Sequence, residues 1–256
     1  MPEAFFYFLD ITLFSRLVFA FRDRPITQRR LFVMLGLQVA GMLLLQMRLA
    51  FFLLVLVTIG MGVLLYYLEK KNRRLNEIRL LFLIAYLLLG SLFFSAWIGL
   101  DFSPRLAGGM QSAASYSLLL AALLKVDWLR LLTVLFGLLL VTNEANILIR
   151  FLLEGFKMAP RAEAKPEEKA PQPVDQRQFN AGRVIGILER ILIYYFVLNS
   201  QYAAIGFILA AKSFTRFREL DKRRFAEYVL VGTLLSALLA ILCASLVQVL
   251  LPAAIE

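Results

Sequence analysis

The apolar residues of this chain come in blocks of about 20, the length that crosses a ~30 Å hydrocarbon core at about 1.5 Å per residue. Short runs dense in Arg and Lys separate the blocks. That alternation is the pattern of a polytopic membrane protein. Composition points the same way, with 61% hydrophobic residues, 18% charged residues and a mean hydropathy of +0.75. A soluble fold of 256 residues has no way to hide so much apolar side chain. The predicted fold class is therefore all-α, a polytopic transmembrane helical bundle of about seven to eight spans with one flexible charged linker.

The chain is basic, with a net charge of +10 and a pI of about 9.9. Basic loops beside apolar spans follow from the positive-inside rule and from attraction to anionic lipid headgroups. The expected partner is thus the bilayer surface and not nucleic acid. Cys243 is the only cysteine, which excludes an intrachain disulfide and a multi-cysteine metal site. Histidine is absent. That removes the commonest general base, the commonest zinc and iron ligand, and every Ser-His or Cys-His nucleophile system. Neither a metal nor a cofactor is expected.

Residues 4–21 read as a retained apolar helix, either spanning or lying in the interface, interrupted by Asp10 and Arg16. Arg22, Arg24, Arg29 and Arg30 form a basic loop, and 31–68 is long enough for two spans turning near Arg48. A second basic loop carries Lys70, Lys71, Arg73, Arg74 and Arg79, and both loops should face the cytoplasm. Residues 80–99 and 131–153 read as spans, and the short apolar segment at 113–126 either spans or re-enters. Pro160, Pro166, Pro171 and Pro173 with interspersed Glu and Lys mark 157–181 as a disordered linker. It divides an N-terminal membrane part, 1–156 with about five to six helices, from a C-terminal part, 182–256, with two spans at 188–211 and 226–250. One span between the linker and the basic loop 212–224 would put them on opposite sides: the compact loop inside and the linker outside if 113–126 crosses fully, the linker inside if it re-enters.

Polar groups inside apolar spans are costly and face partners or water. Three clusters stand out. Asn143, Asn146 and Arg150 share a helical face, with Thr142 and Glu144 beside them. Gly182, Arg183, Gly186, Glu189 and Arg190 recur near helical spacing, with Gln201 further along the same span. Lys212 and Arg216 lie one turn apart before the last basic loop, and Glu227 opens the last span, where Gly232, Ser236 and Ala240 form a small-residue stripe. Each cluster also has a plain structural reading: interhelical hydrogen bonding, an amphipathic helix start, and anchoring by positive charge. Convergence of the three would make one buried site; scatter would leave packing and anchoring.

The stretch GRVIGILERILIYYFVLNSQYAAIGFILAAKSFTRFREL, followed by AEYVLVGTLLSALLA, resembles the C-terminal membrane region of an uncharacterised family of bacterial membrane proteins, a domain of unknown function. The resemblance covers about residues 140–245 and rests on Gly182-Arg183, Gly186, Glu189-Arg190, Gln201, Gly206, Lys212-Ser213, Arg216-Phe217, Glu227-Tyr228 and Gly232-Thr233. It implies a bacterial inner-membrane location and no particular activity. The N-terminal part departs from the family, whose members carry histidine and acidic motifs there.

Three functions follow as expectations. The first is a membrane scaffold, sensor or effector subunit that acts through partner contacts or self-association, as a homo-oligomer or membrane complex. The alternative is a small-solute or ion transporter or channel using Glu144, Glu189 and Arg190. The third is a lipid-headgroup enzyme in which Lys212, Arg216 and Arg190 hold a phosphate and Glu189 or Glu227 acts as base.

Overall fold

The computed structural model describes residues 2–20, 24–72, 74–104, 124–156, 176–215 and 223–251, with isolated positions between 108 and 122. Among the described residues every regular element is a helix, and the only extended pairing is an isolated bridge between Leu45 and Phe102. Among the described residues, four helices are long and apolar enough to cross a membrane: Leu49–Lys71, Leu75–Phe93, Trp128–Gly155 and Val229–Leu250. The chain therefore has membrane-protein character, carried by four candidate spans.

Two compact units are present. One takes Met1–Leu140 with Val249–Glu256, the other Val141–Gln248. In the first, α1 (Pro2–Arg16) continues into a short 3-10 turn at Leu17–Phe19. At 15 residues it is about 22 Å long and falls short of a bilayer core. It packs instead against α2 (Gln28–Met42), α4 (Leu75–Phe93) and α5 (Trp128–Leu139). Phe6, Phe8, Leu9 and Leu13 of α1 sit in a core with Tyr86, Phe93, Leu132 and Phe136. Gly90 of α4 makes the approach possible, because a Cβ there would lie 3.1 Å from the Phe5 ring and 3.2 Å from that of Phe8.

Over 31–68, where two spans were expected, two helices form, α2 and α3 (Leu49–Lys71), turning at 43–48; only α3 is long enough to cross, α2 being as short as α1. The turn is held by backbone bonds to the chain beyond α4: Gln46 donates to the Asp101 carbonyl at 2.9 Å and Ser103 to that of Leu44 at 3.0 Å. Gly99, at φ 62°, lets the chain double back after α4. Lys70 and Lys71 close α3, where cations suit the negative end of the helix dipole. Asp127 caps α5, its carboxylate accepting from the Arg130 amide at 3.0 Å. The segment expected at 113–126 lies mostly outside the described residues.

In the second unit a five-residue π segment, Leu140–Glu144, leads into α6 (Ala145–Gly155). The linker expected at 157–181 lies outside the described residues up to 175. A helix, α7 (Gln176–Leu198), begins inside that segment. No proline follows Pro173 there to stop a helix from forming.

The span predicted at 188–211 is corrected. The chain breaks at Asn199–Gln201, with Ser200 at φ 57°, and α8 (Tyr202–Thr215) folds back antiparallel on α7. Residues equidistant from the turn meet, and Glu189 pairs with Lys212. At 14 residues, about 21 Å, α8 is too short to cross the core. The reversal brings Arg183 and Lys212 toward one end of the α7–α8 pair, where a single continuous helix would hold them far apart. Hydropathy counts apolar length and is blind to the local backbone reversal at three polar residues. The final helix, α9 (Arg223–Leu250), buries Ser236, Ala237, Ala240, Ala244 and Val247 on one face; of the stripe read from the sequence, Ser236 and Ala240 lie there, while Gly232 is half-buried with open space beside it.

In a background with Cys243 replaced, Gly182→Cys and Ser213→Cys should react alike with a membrane-impermeant maleimide in intact cells. Labelling of only one of them would restore a single crossing helix over 188–211.

Candidate functional site

Members of the second and third sequence clusters meet in the second unit, beside the backbone that leads into the first. Regular α-helix would stack Asn143 over Asn146 and Arg150. The π segment opens the i→i+5 spacing and rotates that register. Asn143 and Glu144 are both buried as a result, with the Asn143 amide donating to Glu144 Oε1 at 2.8 Å, whereas Asn146 and Arg150 are half-buried. The same segment offers the Val141 carbonyl to the next helix.

Arg190 of α7 takes that carbonyl. Its Nε donates to Val141 O at 3.0 Å, and its Nη1 donates to the Ser236 hydroxyl of α9 at 3.3 Å. Only 4% of Arg190 is exposed. The guanidinium thus joins a residue beside the first sequence cluster to one in the small-residue stripe. Gly186, one turn before it, keeps space beside the head group: a Cβ there would sit 3.7 Å from Nη1. Ser236 earns its place twice, as a small residue that lets helices approach and as an acceptor.

Glu189, next in the chain, turns the other way and forms an ion pair with Lys212 across the α7–α8 hairpin, each side chain 15% exposed. Arg183 is half-buried. Gln201 is exposed at the hairpin turn, where its backbone N–H donates to Phe196 O at 2.8 Å, and so it is not a mid-span polar group. Glu227 is exposed near the start of α9. Arg216 lies outside the described residues.

The first unit holds a second charged cluster that sequence reasoning passed over. Glu69, near the end of α3, and Arg79, in α4, form a buried ion pair at 2.7 Å with side chains 0% and 2% exposed. Arg79 Nη2 also donates to the Arg24 carbonyl at 3.1 Å, and the Ile26 amide donates to Glu69 Oε2 at 2.7 Å. Arg16, fully buried, donates from Nη2 to the Arg79 carbonyl at 2.9 Å. The Phe19 ring lies under both cations, 4.5 Å from the Arg79 guanidinium and 5.6 Å from that of Arg16. A turn further into the bundle, the Gln38 amide donates to Ser15 Oγ at 2.9 Å.

Arg79 had looked like one more anchoring cation. The available signal was Glu69: a carboxylate at a span end, followed by Lys70, Lys71, Arg73 and Arg74, is out of place among anchors unless a cation folds back onto it. These contacts tie the 24–26 loop to the α3–α4 connection, and their chemistry is structural.

Among the described residues no group of three His, Cys, Asp or Glu side chains could hold a metal ion. No protein-family model, no curated protein and no solved structure matches this chain.

Removing one partner of a buried ion pair strands the other charge, which costs roughly 3–5 kcal/mol. Glu69→Gln should therefore lower the unfolding midpoint of the detergent-solubilised protein sharply. A loss below about 1 kcal/mol would mean that the pair contributes no more than an exposed one.

Proposed function

We propose that this chain is a bacterial inner-membrane, multi-pass scaffold, sensor or effector subunit that acts through partner contacts or self-association. The observation carrying this reading is how its intramembrane charges are used. Glu69 with Arg79, Glu189 with Lys212, and Arg190 with Val141 and Ser236 hold helices to one another. Charges used in this way leave apolar faces outward. On α9 the outward face is a ridge of leucines four residues apart, Leu230, Leu234, Leu238, Leu242 and Leu246, all exposed. A ridge of that period fits the groove of another helix. The basic segments suit anionic headgroups, and the second half's resemblance to bacterial membrane proteins of unknown function supports the inner membrane as the location.

The test is oxidative cross-linking in native membranes. With Cys243→Ser as background, Leu238→Cys should yield a disulfide-linked dimer, and cysteines on the buried face, such as Ala240→Cys, should not. A monomer at every ridge position, together with a 29.1 kDa particle in mild detergent, would overturn self-association.

One observation favours the transporter or channel reading as second. Backbone that turns within the membrane is tolerated where it is packed in protein or lines a cavity, and the α7–α8 hairpin is such a turn. In this reading Glu144, Glu189 and Arg190 border the path of an ion. Glu189→Gln should then abolish ion flux into protein-containing vesicles, and unchanged flux removes Glu189 from the path.

A further inference from the structure

Arg190 is a buried cation with an incomplete set of partners. Nε and Nη1 are bonded, but Nη2 is buried with no acceptor. No carboxylate pairs with it: the neighbouring Glu189 is engaged with Lys212, and Glu144, on the π segment that supplies the Val141 carbonyl, accepts from Asn143 and forms no ion pair with Arg190. Its two direct acceptors are neutral, and the Glu189 carboxylate acts on it only through space. A guanidinium removed from water with one donor left unpaired is a costly arrangement for a protein interior, and in an apolar helix it marks a functional position by default.

We propose that Arg190 is the recognition group of an oxyanion site, taking a carboxylate or phosphate between α7, the π segment and α9. The chemistry of the open donor selects the ligand. Nη1 and Nη2 form one planar fork that matches two oxygens of a single oxyanion. Nη2 is free for one of them. Nη1 is held only by the long 3.3 Å bond to Ser236, which a charged oxygen can displace or share. The π segment has a direct part: it presents the Val141 carbonyl to Nε and so fixes the plane of the fork. The site stands whether the protein works as a scaffold, a sensor or a transporter, since it concerns binding alone.

The source of the oxyanion is either free in solution or a lipid headgroup, and one experiment separates them. The full chain is placed in phosphatidylcholine nanodiscs and its unfolding midpoint is followed with inorganic phosphate. In parallel it is placed in nanodiscs containing phosphatidylglycerol without phosphate. A ligand at about 100 times its Kd should raise the midpoint by about 5 °C. A rise with phosphate assigns a free oxyanion, and a rise with phosphatidylglycerol alone assigns a headgroup. In Arg190→Met the response should vanish, while the variant still unfolds cooperatively in plain phosphatidylcholine. If Arg190→Met does not fold, Arg190→Lys replaces it: the charge stays, the fork is lost, and the half-saturating concentration should rise roughly tenfold. No response in wild type, or an equal response in the Arg190 variants, overturns the site. Self-association read by cross-linking fails or succeeds independently of this outcome.

Discussion

Hydrocarbon offers no hydrogen-bonding partner, so any charge or irregular backbone placed there must bring its own. Much of this structure follows from that one constraint. In the first unit Glu69 meets Arg79, the Arg79 carbonyl meets Arg16, and both cations share the Phe19 ring. In the second unit Glu189 meets Lys212, and Arg190 reaches a carbonyl and a hydroxyl. The ion pairs and the Arg190 bonds join different helices, so they also set which helices are neighbours. The polar side chains act as the specific glue, and the apolar ones supply area without direction.

Irregular backbone is used for the same end. A regular helix spends its carbonyls on itself. The π segment at Leu140–Glu144 relaxes that economy in the middle of a long apolar helix, and the Val141 carbonyl becomes available to Arg190. The break at Asn199–Gln201 has a different yield. It converts one apolar stretch into two antiparallel arms and brings Glu189 opposite Lys212, residues that a continuous helix would hold far apart. Loss of helical regularity at a few residues thus creates the contacts on which the polar cluster rests.

The four candidate spans divide by burial. Trp128–Gly155 is 61% buried over its apolar window, against 28%, 28% and 22% for Leu49–Lys71, Leu75–Phe93 and Val229–Leu250. The helix that carries the π segment is therefore an interior one, and the other three keep most of their surface for lipid or for other helices. A polar group on the interior helix meets protein, so Asn143 and Glu144 are accommodated where the same residues on an outward face would not be.

What the sequence by itself determined is the class of molecule. Helices in a membrane follow from the length and apolarity of the blocks, because the bilayer sets both the minimum length and the need for internal backbone bonds. The α2–α3 pair, the span around 131–153, the last helix with its small-residue face, and Arg190 and Glu189 as polar residues of interest were legible for that reason. The tertiary structure decided everything that depends on direction. Hydropathy sums over 188–211 whether or not the chain reverses there, so the hairpin was invisible. Periodicity assumed 3.6 residues per turn through Asn143, so the π register was invisible too. Glu69 and Arg79 look like ordinary loop charges until two helix ends are placed side by side. Pairing is a property of space, and a one-dimensional pattern carries the cost of a buried charge without naming the group that offsets it.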